Sequence, residues 1–171
     1  MGRASTKENK NKYQLAREEL GWSREKAGDE LQAIPPERIE KIENERSNPH
    51  PDEVLLMSQV YKKPSLCNYY CSNQCPIGKE YVPEVQVKEL SAIVLEMLAS
   101  LNSVGKTKDR LIEIAADGVI SNDEIDDFIY IQNELEKISI TVETLQLWAE
   151  KMLANGAIDA EEYKARKNRQ L

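Results

Sequence analysis

Apolar and polar residues alternate in short helical runs over the first 63 residues of the chain. Four runs stand out, at residues 13–20, 23–31, 35–43 and 52–61. Their apolar positions fall mostly three or four residues apart, which is the spacing of one face of an α-helix. Only a few residues separate the second run from the third. The pattern therefore predicts two short amphipathic helices joined by a brief turn, between two further helices.

Residues suited to helix termini support these boundaries. Ser23 is a good N-cap residue for the second run. Pro36 fits the first turn of the third helix, where its missing N–H leaves no hydrogen bond unmade. Ile39 and Ile42 would then form the buried face of the third helix, while its charged side chains point outward: Glu37, Arg38, Glu40 and Lys41. A fifth short helix is predicted to begin at Ser65.

Prolines and a glycine interrupt the helical pattern after this region. Pro76, Gly78 and Pro83 are typical of turns and loops, so residues 76–84 are predicted to form a linker. The segments at the two ends of the chain, residues 1–11 and 166–171, are polar and are predicted to be flexible.

A longer apolar repeat follows the linker. Its positions alternate steps of four and three, the spacing of a coiled coil, with Lys108 as the interruption: Leu90, Val94, Met97, Leu101, Val104 and Leu111. A second long pattern extends from Ile125 to Met152. Each long amphipathic helix needs a partner for its apolar stripe. We therefore predict an antiparallel helical hairpin or coiled coil over residues 85–165, which mediates homodimerisation or binds a partner. The alternative is a monomeric three-helix bundle.

Two connections in this half resemble each other, ADGVISNDE and ANGAIDAEE. Both echo part of a calcium-binding EF-hand loop, but Ala115, Lys151 and Leu153 stand where such a loop needs oxygen ligands. Helix capping explains the same residues better. Gly118 and Gly156 are predicted to end helices in the left-handed conformation, and the residues that cap the next helices are Ser121 and Asp159.

Charge is distributed unevenly along the chain, whose net charge is −7. Residues 1–66 hold 12 basic and 12 acidic side chains, whereas residues 67–171 hold 11 and 18. Contacts with phosphates supply much of the affinity of a DNA-binding protein, so only the N-terminal part is suited to DNA. No apolar run approaches the roughly 20 residues that span a membrane, and the polar N-terminus is unlike a signal peptide. We expect a cytoplasmic protein without a membrane partner.

The three cysteines, Cys67, Cys71 and Cys75, have the spacing C-x3-C-x3-C. An odd number of cysteines fits a reducing compartment better than a disulfide framework. Residues four apart on a helix rise by about 6 Å, whereas thiolates on one zinc lie roughly 3.8 Å apart. The favoured interpretation is small buried side chains and no cofactor. Two alternatives are a thiol redox switch and a zinc or iron–sulfur site, for which His50 could be a fourth ligand.

The N-terminal residues resemble the phage-repressor-like (Cro/C1, XRE) helix-turn-helix family over roughly residues 12–70. The residues that carry this resemblance are Arg17, Ser23, Ile39, the triplet Ile42–Glu43–Asn44 and Arg46. The resemblance implies a five-helix domain over residues 12–75. It also implies a structural ion pair between Arg17, in the first helix, and Glu43, at the end of the recognition helix.

The same resemblance implies which residues would contact DNA. Arg24, Asn44 and Arg46 match phosphate-contacting positions. Pro36, Glu37 and Lys41 match positions that face base edges, and Arg38 would lie at the rim. Glu45 stands where the family often has a glycine with positive φ.

We therefore predict an all-α protein with a repressor-like helix-turn-helix domain followed by the helical hairpin. Its predicted function is that of a sequence-specific transcriptional regulator, which occupies an operator in double-stranded DNA and carries a C-terminal dimerisation or effector domain. An enzyme is not expected, because the chain has one histidine and no nucleophile elbow, phosphate loop or paired-carboxylate motif. The recognition helix is acidic, so the alternative is a non-DNA-binding adaptor with a protein partner, with the cysteines as a metal or redox sensor.

Overall fold

The computed structural model describes residues 9–169, and every regular element in that range is an α-helix. This confirms the predicted all-α class. Contacts divide the chain into two units, one comprising Met1–Glu84 and Ala149–Leu171 and the other Val85–Trp148. The helices of the first 84 residues are α1 (Lys12–Glu19), α2 (Arg24–Leu31), α3 (Pro36–Glu43), α4 (Pro51–Val60), α5 (Ser65–Asn73) and α6 (Gly78–Tyr81). The later helices are α7 (Leu90–Ala115), α8 (Ile125–Ala154) and α9 (Ala160–Asn168).

The predicted flexible ends are partly ordered. The Asn11 side chain accepts a hydrogen bond from the Gln14 N–H at 3.0 Å and donates one to the Ile42 carbonyl at 2.8 Å. It therefore caps α1 and ties it to the end of α3. At the other end, α9 continues to Asn168 with basic residues in its last turn. Their positive charges interact favourably with the negative end of the helix dipole. The rest of the predicted arm and tail, residues 1–8 and 170–171, lies outside the described residues.

One hydrophobic core holds α1 to α5 together. Its members are apolar residues at helical spacing, all less than 5 % exposed: Tyr13, Ala16, Ala27, Leu31, Ile34, Ile39, Ile42, Val54, Met57, Tyr61 and Leu66. Helices α2 and α3 approach closely at Gly28, where an added Cβ would lie 2.9 Å from Cδ of Pro36. The two helices of the predicted helix-turn-helix are therefore packed directly against each other.

Glu45, just after α3, has a φ of 57°. Its N–H donates to the Ile42 carbonyl at 3.1 Å, and the next N–H, of Arg46, donates to the Lys41 carbonyl at 2.9 Å. These bonds close the end of α3 in a form that needs a left-handed residue. A residue with a Cβ is strained in this conformation. The positive φ of Glu45 agrees with the expectation from the resemblance, in which a glycine often occupies this position.

Glu45→Gly is therefore expected to raise the free energy of unfolding by about 0.5–1 kcal/mol, since the relief of strain outweighs the entropy that glycine adds to the unfolded chain. Urea unfolding checks this result. Glu45→Ala is the matched control, because it removes the same charge but keeps the strain. Equal stability of the glycine and alanine variants would contradict the strain at this position.

The segment predicted as a linker, residues 76–84, contains the short helix α6 packed against α5. Gly78 is buried there, and a Cβ at this position would overlap the carbonyl group of Cys71. The Asn68 amide also donates to the Pro83 carbonyl at 3.0 Å. The structure thus adds a packed short helix to the predicted linker, because the absence of a side chain at Gly78 lets the chain fold back on α5.

In the second unit, α7 and α8 form the predicted antiparallel hairpin. Arg110 donates through Nε to Asp127 Oδ2 at 2.6 Å, and the hydroxyls of Ser103 and Tyr130 are 3.3 Å apart. Helix α8 runs without a break through its β-branched segment, residues 138–144. Within residues 9–169, no helix combines the length and apolar character that crossing a bilayer requires.

The predicted heptad places two rows of residues on the covered face of α7. In the structure, one of these rows is shifted by one position along the chain. Met97, Val104 and Leu111 are half-buried as expected, but the second covered row is Ile93, Ser100, Thr107 and Ile114. The row that was predicted instead, Val94, Leu101 and Lys108, is exposed. Both rows fit the alternation of four and three, so the spacing alone does not distinguish them. A second apolar strip is left uncovered on α7.

The two glycine-containing connections end helices as predicted. Gly118 has a φ of 72° and Gly156 a φ of 78°, which confirms the left-handed conformation of both. Asp159 caps α9 by accepting a hydrogen bond from the Glu162 N–H at 2.8 Å. Ser121 does not cap α8, which begins four residues later at Ile125: its N–H and its hydroxyl both donate to the Glu124 carboxylate, at 3.0 and 2.6 Å, and so order the turn before α8.

Candidate nucleic-acid interface

Helix α3 is anchored by one face. Ile39 and Ile42 are 1 % and 2 % exposed in the core. Ser23 fixes the start of α2 by accepting a hydrogen bond from the Lys26 N–H at 3.2 Å, and the first turn of α3 carries Pro36. The opposite face of α3 remains accessible.

A buried carboxylate joins three helices at the end of α3. Glu43, 1 % exposed, accepts from Arg17 twice, at 2.6 Å from Nε and 3.0 Å from Nη2, and from Arg24 Nε at 2.8 Å. Arg17 also donates through Nη1 to the Trp22 carbonyl. The structure thus has the ion pair that the resemblance implies, with Arg24 added to it. Its role is to fix α1, α2 and α3 relative to one another.

Arg38 faces the protein and not the predicted rim of the DNA surface. Its Nε and Nη2 donate to both oxygens of Glu53, at 2.7 and 2.6 Å. Its Nη1 donates to Ser47 Oγ at 2.7 Å, and Nη2 also reaches the Asn48 carbonyl at 3.0 Å. All three guanidinium nitrogens are engaged, so a DNA contact by Arg38, which stays a prediction, would have to compete with Glu53 and Ser47. Arg38 fastens the loop after α3 to the start of α4.

The Glu53 carboxylate gives this connection a dependence on pH. Hydrogen bonds from Arg38 hold the pKa of Glu53 below its ordinary value of 4.5, and the His50 N–H adds to the effect. Glu53 therefore binds a proton more readily in the unfolded chain than in the folded one. Its contribution to the free energy of unfolding is fully present above the ordinary pKa. It is lost as the pH falls through the lower folded value.

We expect Glu53→Gln to cost about 1–3 kcal/mol of unfolding free energy near neutral pH. This difference from the wild type should shrink as the pH is lowered below about 4.5, where the wild-type carboxylate also becomes protonated. Urea unfolding between about pH 3 and pH 7 measures the difference. Glu37→Gln is a matched control, because Glu37 forms no ion pair with a described residue. A constant difference at all pH values would contradict the role of the charge.

The remaining predicted DNA contacts differ in accessibility. Glu37 and Lys41 are exposed, and Pro36 is half-buried against Gly28. The Arg46 side chain is 70 % exposed, with its Nη1 at 3.8 Å from Glu40 Oε1. Asn44 donates to the same Glu40 oxygen at 3.4 Å.

Arg24 has a dual position. One of its nitrogens is committed to Glu43, yet its side chain remains 31 % exposed. The structure therefore brings Arg24, Glu37, Lys41, Asn44 and Arg46 to accessible positions on α2, on α3 and just beyond α3, while it withdraws Arg38.

The three cysteines do not form a ligand set. Cys67 lies 3.2 Å from Ser58 Oγ, whereas Cys75 accepts a weak hydrogen bond from the Gly78 N–H at 3.4 Å. Burial raises the pKa of the Cys71 thiol, which disfavours the thiolate that a metal binds. No group of three or more His, Cys, Asp or Glu side chains within residues 9–169 is placed to hold a metal. The proposed metal ligands are therefore not gathered, and His50 instead precedes α4 as its N-cap.

Two positions that organise this surface were missed from the sequence. Glu53 holds Arg38, and its signal was its place in the first turn of α4, three residues after His50, where a glutamate commonly returns to the helix terminus. Gly28 allows the contact between α2 and α3, and a glycine within a helical pattern is a sign of such close packing.

Comparison with known proteins agrees with this geometry. Residues 14–65, less than half of the chain, match the sequence model of a family described as helix-turn-helix. No curated protein and no solved structure matches the chain significantly. The matched range begins in α1 and ends at the first residue of α5, so it contains the buried Arg17–Glu43 pair and the exposed face of α3. Over residues 14–65, the N-terminal region therefore matches a helix-turn-helix of the Cro/C1 (XRE) type.

Proposed function

We propose that the protein is a sequence-specific transcriptional regulator that acts by occupying an operator in double-stranded DNA. The observation that carries this proposal is the state of α3 within the matched family range. One side of the helix is fixed by Ile39, Ile42 and Glu43, and the opposite side presents Glu37 and Lys41 to solvent. A helix that contacts base edges in the major groove must be held rigidly and must expose polar side chains. We expect this regulator to act in the cytoplasm.

The available cations suggest modest electrostatic affinity. Arg17 and Arg38 are engaged with glutamates. Among the predicted phosphate contacts this leaves two cations, Arg46 and the exposed part of Arg24, with Asn44 as a neutral donor. Each neutralised phosphate contributes about −0.9 to the slope of log K against log salt. One or two such contacts for each domain therefore give a slope of roughly −1 to −2, and about twice that for a dimer.

The exposed strip of α7 supports dimerisation through the C-terminal hairpin. Leu95, Leu98 and Leu101 are 68 %, 58 % and 49 % exposed, and Leu90 and Val94 continue the same side of the helix. Exposed apolar patches of this kind commonly mark sites of association. A second copy of the hairpin, packed as a coiled coil, would cover them. Two helix-turn-helix domains could then occupy half-sites one helical turn apart.

The test is enrichment of sheared genomic DNA on the purified full-length protein, followed by sequencing. We expect a site with dyad symmetry whose recovery falls as salt is raised. The absence of any enriched sequence at low salt would contradict the proposal. It would favour the alternative adaptor function, for which the acidic residues of the exposed face, Glu37 and Glu40, are the supporting observation.

Matched variants test whether the enrichment of DNA depends on the exposed face of α3. The double variant Lys41→Ala/Arg46→Ala should lose most of the recovered DNA. Lys106→Ala removes an exposed lysine from α7, which belongs to the other unit, and should retain it. Equal loss in both variants would indicate non-specific attraction of DNA to cations and not binding by α3.

A further inference from the structure

Two of the charged residues of α3 have no ion pair within residues 9–169. Glu43 is bound to Arg17 and Arg24, Arg38 is bound to Glu53, and Glu40 lies beside Asn44 and Arg46. This leaves Glu37 and Lys41, both of them exposed. The buried face of α3 is therefore fixed, and these two side chains are the free ionic groups on its outer face.

Their spacing suits two nearby base pairs. Residues four apart lie on the same side of a helix, about 6 Å apart along its axis. Successive base pairs are separated by about 3.4 Å. A helix lying along the major groove would therefore place Glu37 and Lys41 over positions about two base pairs apart.

The chemistry of each group selects a base. A carboxylate only accepts hydrogen bonds, and in the major groove cytosine presents the N4 donor whereas thymine and guanine present acceptors. Adenine also has a donor, but its acceptor N7 lies beside it and repels a carboxylate. An ammonium group only donates, and guanine offers two acceptors, O6 and N7, on one edge.

We infer that the operator half-site presents cytosine to Glu37 and guanine to Lys41, about two base pairs apart. The inference rests on the proposed DNA-binding function and names the class of sequence which that surface reads. Glu37 also acts against other sequences, because a carboxylate without its donor is repelled by the surrounding phosphates. It therefore lowers binding to unrelated DNA as well as stabilising the correct site.

Selection from a randomised duplex library tests the inference with the full-length protein and two variants. The wild type should select cytosine at one position and guanine about two base pairs away. Glu37→Gln should change the cytosine preference to adenine, since an amide pairs with both N6 and N7 of adenine. It should also bind random duplex more tightly. The expected loss of preference for cytosine over the other bases is about tenfold or more.

Asp29→Asn is the matched control, since it removes an exposed carboxylate from α2 and should leave the selected sequence unchanged. Glu37→Ala provides a second variant, which should lose the cytosine preference without gaining one for adenine. If the wild type selects a defined site and both Glu37 variants select the same site, the inference is overturned while the proposed function stands. If the wild type selects no sequence, the proposed function fails and the inference fails with it.

Discussion

Replacing Glu43 with leucine is expected to lower the free energy of unfolding of the helix-turn-helix by about 3–5 kcal/mol. Glu43 is 1 % exposed and accepts three hydrogen bonds from Arg17 and Arg24. Its loss leaves the Arg17 guanidinium, whose side chain is 7 % exposed, without its hydrogen-bonded counter-charge and with the more distant Glu18 carboxylate, 3.8 Å from its Nη2, as the remaining acidic neighbour that the described residues provide. Arg24 loses less, because its partly exposed side chain can be hydrated.

The double variant Arg17→Met/Glu43→Leu separates this cause from a general disturbance of packing. It replaces the charged pair with apolar side chains of similar size, so it should cost much less than the sum of the two single variants. Urea unfolding followed by Trp22 fluorescence, in a Trp148→Phe background, reports on the correct unit. Glu30→Ala breaks the exposed pair with Lys26 and should cost less than about 1 kcal/mol. Additive losses for Arg17 and Glu43 would contradict a buried ionic connection.

Gly78→Ala is expected to release α6 from α5 and to cost about 1–3 kcal/mol. A Cβ at Gly78 would overlap the carbonyl group of Cys71. The overlapping atoms belong to the backbone, so they cannot move aside as the end of a flexible side chain could. Hydrogen exchange measures the result directly. The N–H groups of Tyr81 and Val82, which donate to the carbonyls of Ile77 and Gly78, should lose their protection.

Gly105→Ala in α7 is the matched control for the same chemical change. Nothing lies within 4 Å of a Cβ added at Gly105, and alanine is the better helix former. This variant should therefore gain about 0.5–1 kcal/mol. If the exchange rates of the Tyr81 and Val82 N–H groups are unchanged in Gly78→Ala, the prediction that contact with α5 protects α6 is contradicted.

The short helices of the first unit were predictable because each has local signals at its ends. Ser23 and Pro36 mark the starts of α2 and α3, and the structure begins α2 at Arg24 and α3 at Pro36. The apolar positions between such signals are few, so only one helical face fits them. The left-handed conformation of Glu45 was instead implied by the resemblance, in which a glycine often occupies this position.

Long-range partners were less predictable. Arg38 is an outward position in the helical pattern, yet Glu53 lies across a loop and draws its guanidinium inward. Nothing in the local sequence around Arg38 indicates that contact. The helical pattern correctly predicts that Glu37 and Lys41 are exposed while Ile39 and Ile42 are buried, whereas their base-facing role comes from the resemblance alone and stays a prediction.

The register of the hairpin was predictable to within one residue. Met97 and Val104 belong to the covered face in both versions, but Ile93 is buried where Val94 was expected. The covered row also contains Ser100 and Thr107, whose hydroxyls give no apolar signal in the sequence. The partner helix decides between the two rows, and the one that it leaves uncovered is the one proposed for dimerisation.

Equilibrium binding of the full-length protein to an enriched duplex and to a scrambled duplex tests the central claim most directly. Fluorescence anisotropy at several salt concentrations gives both affinities. The DNA-reading role of α3 predicts at least about 10³-fold tighter binding to the enriched site, and a loss of that preference on exchanging Glu37 and Lys41 for alanine. Equal affinity for the two duplexes, or a preference that survives the loss of both side chains, would contradict it.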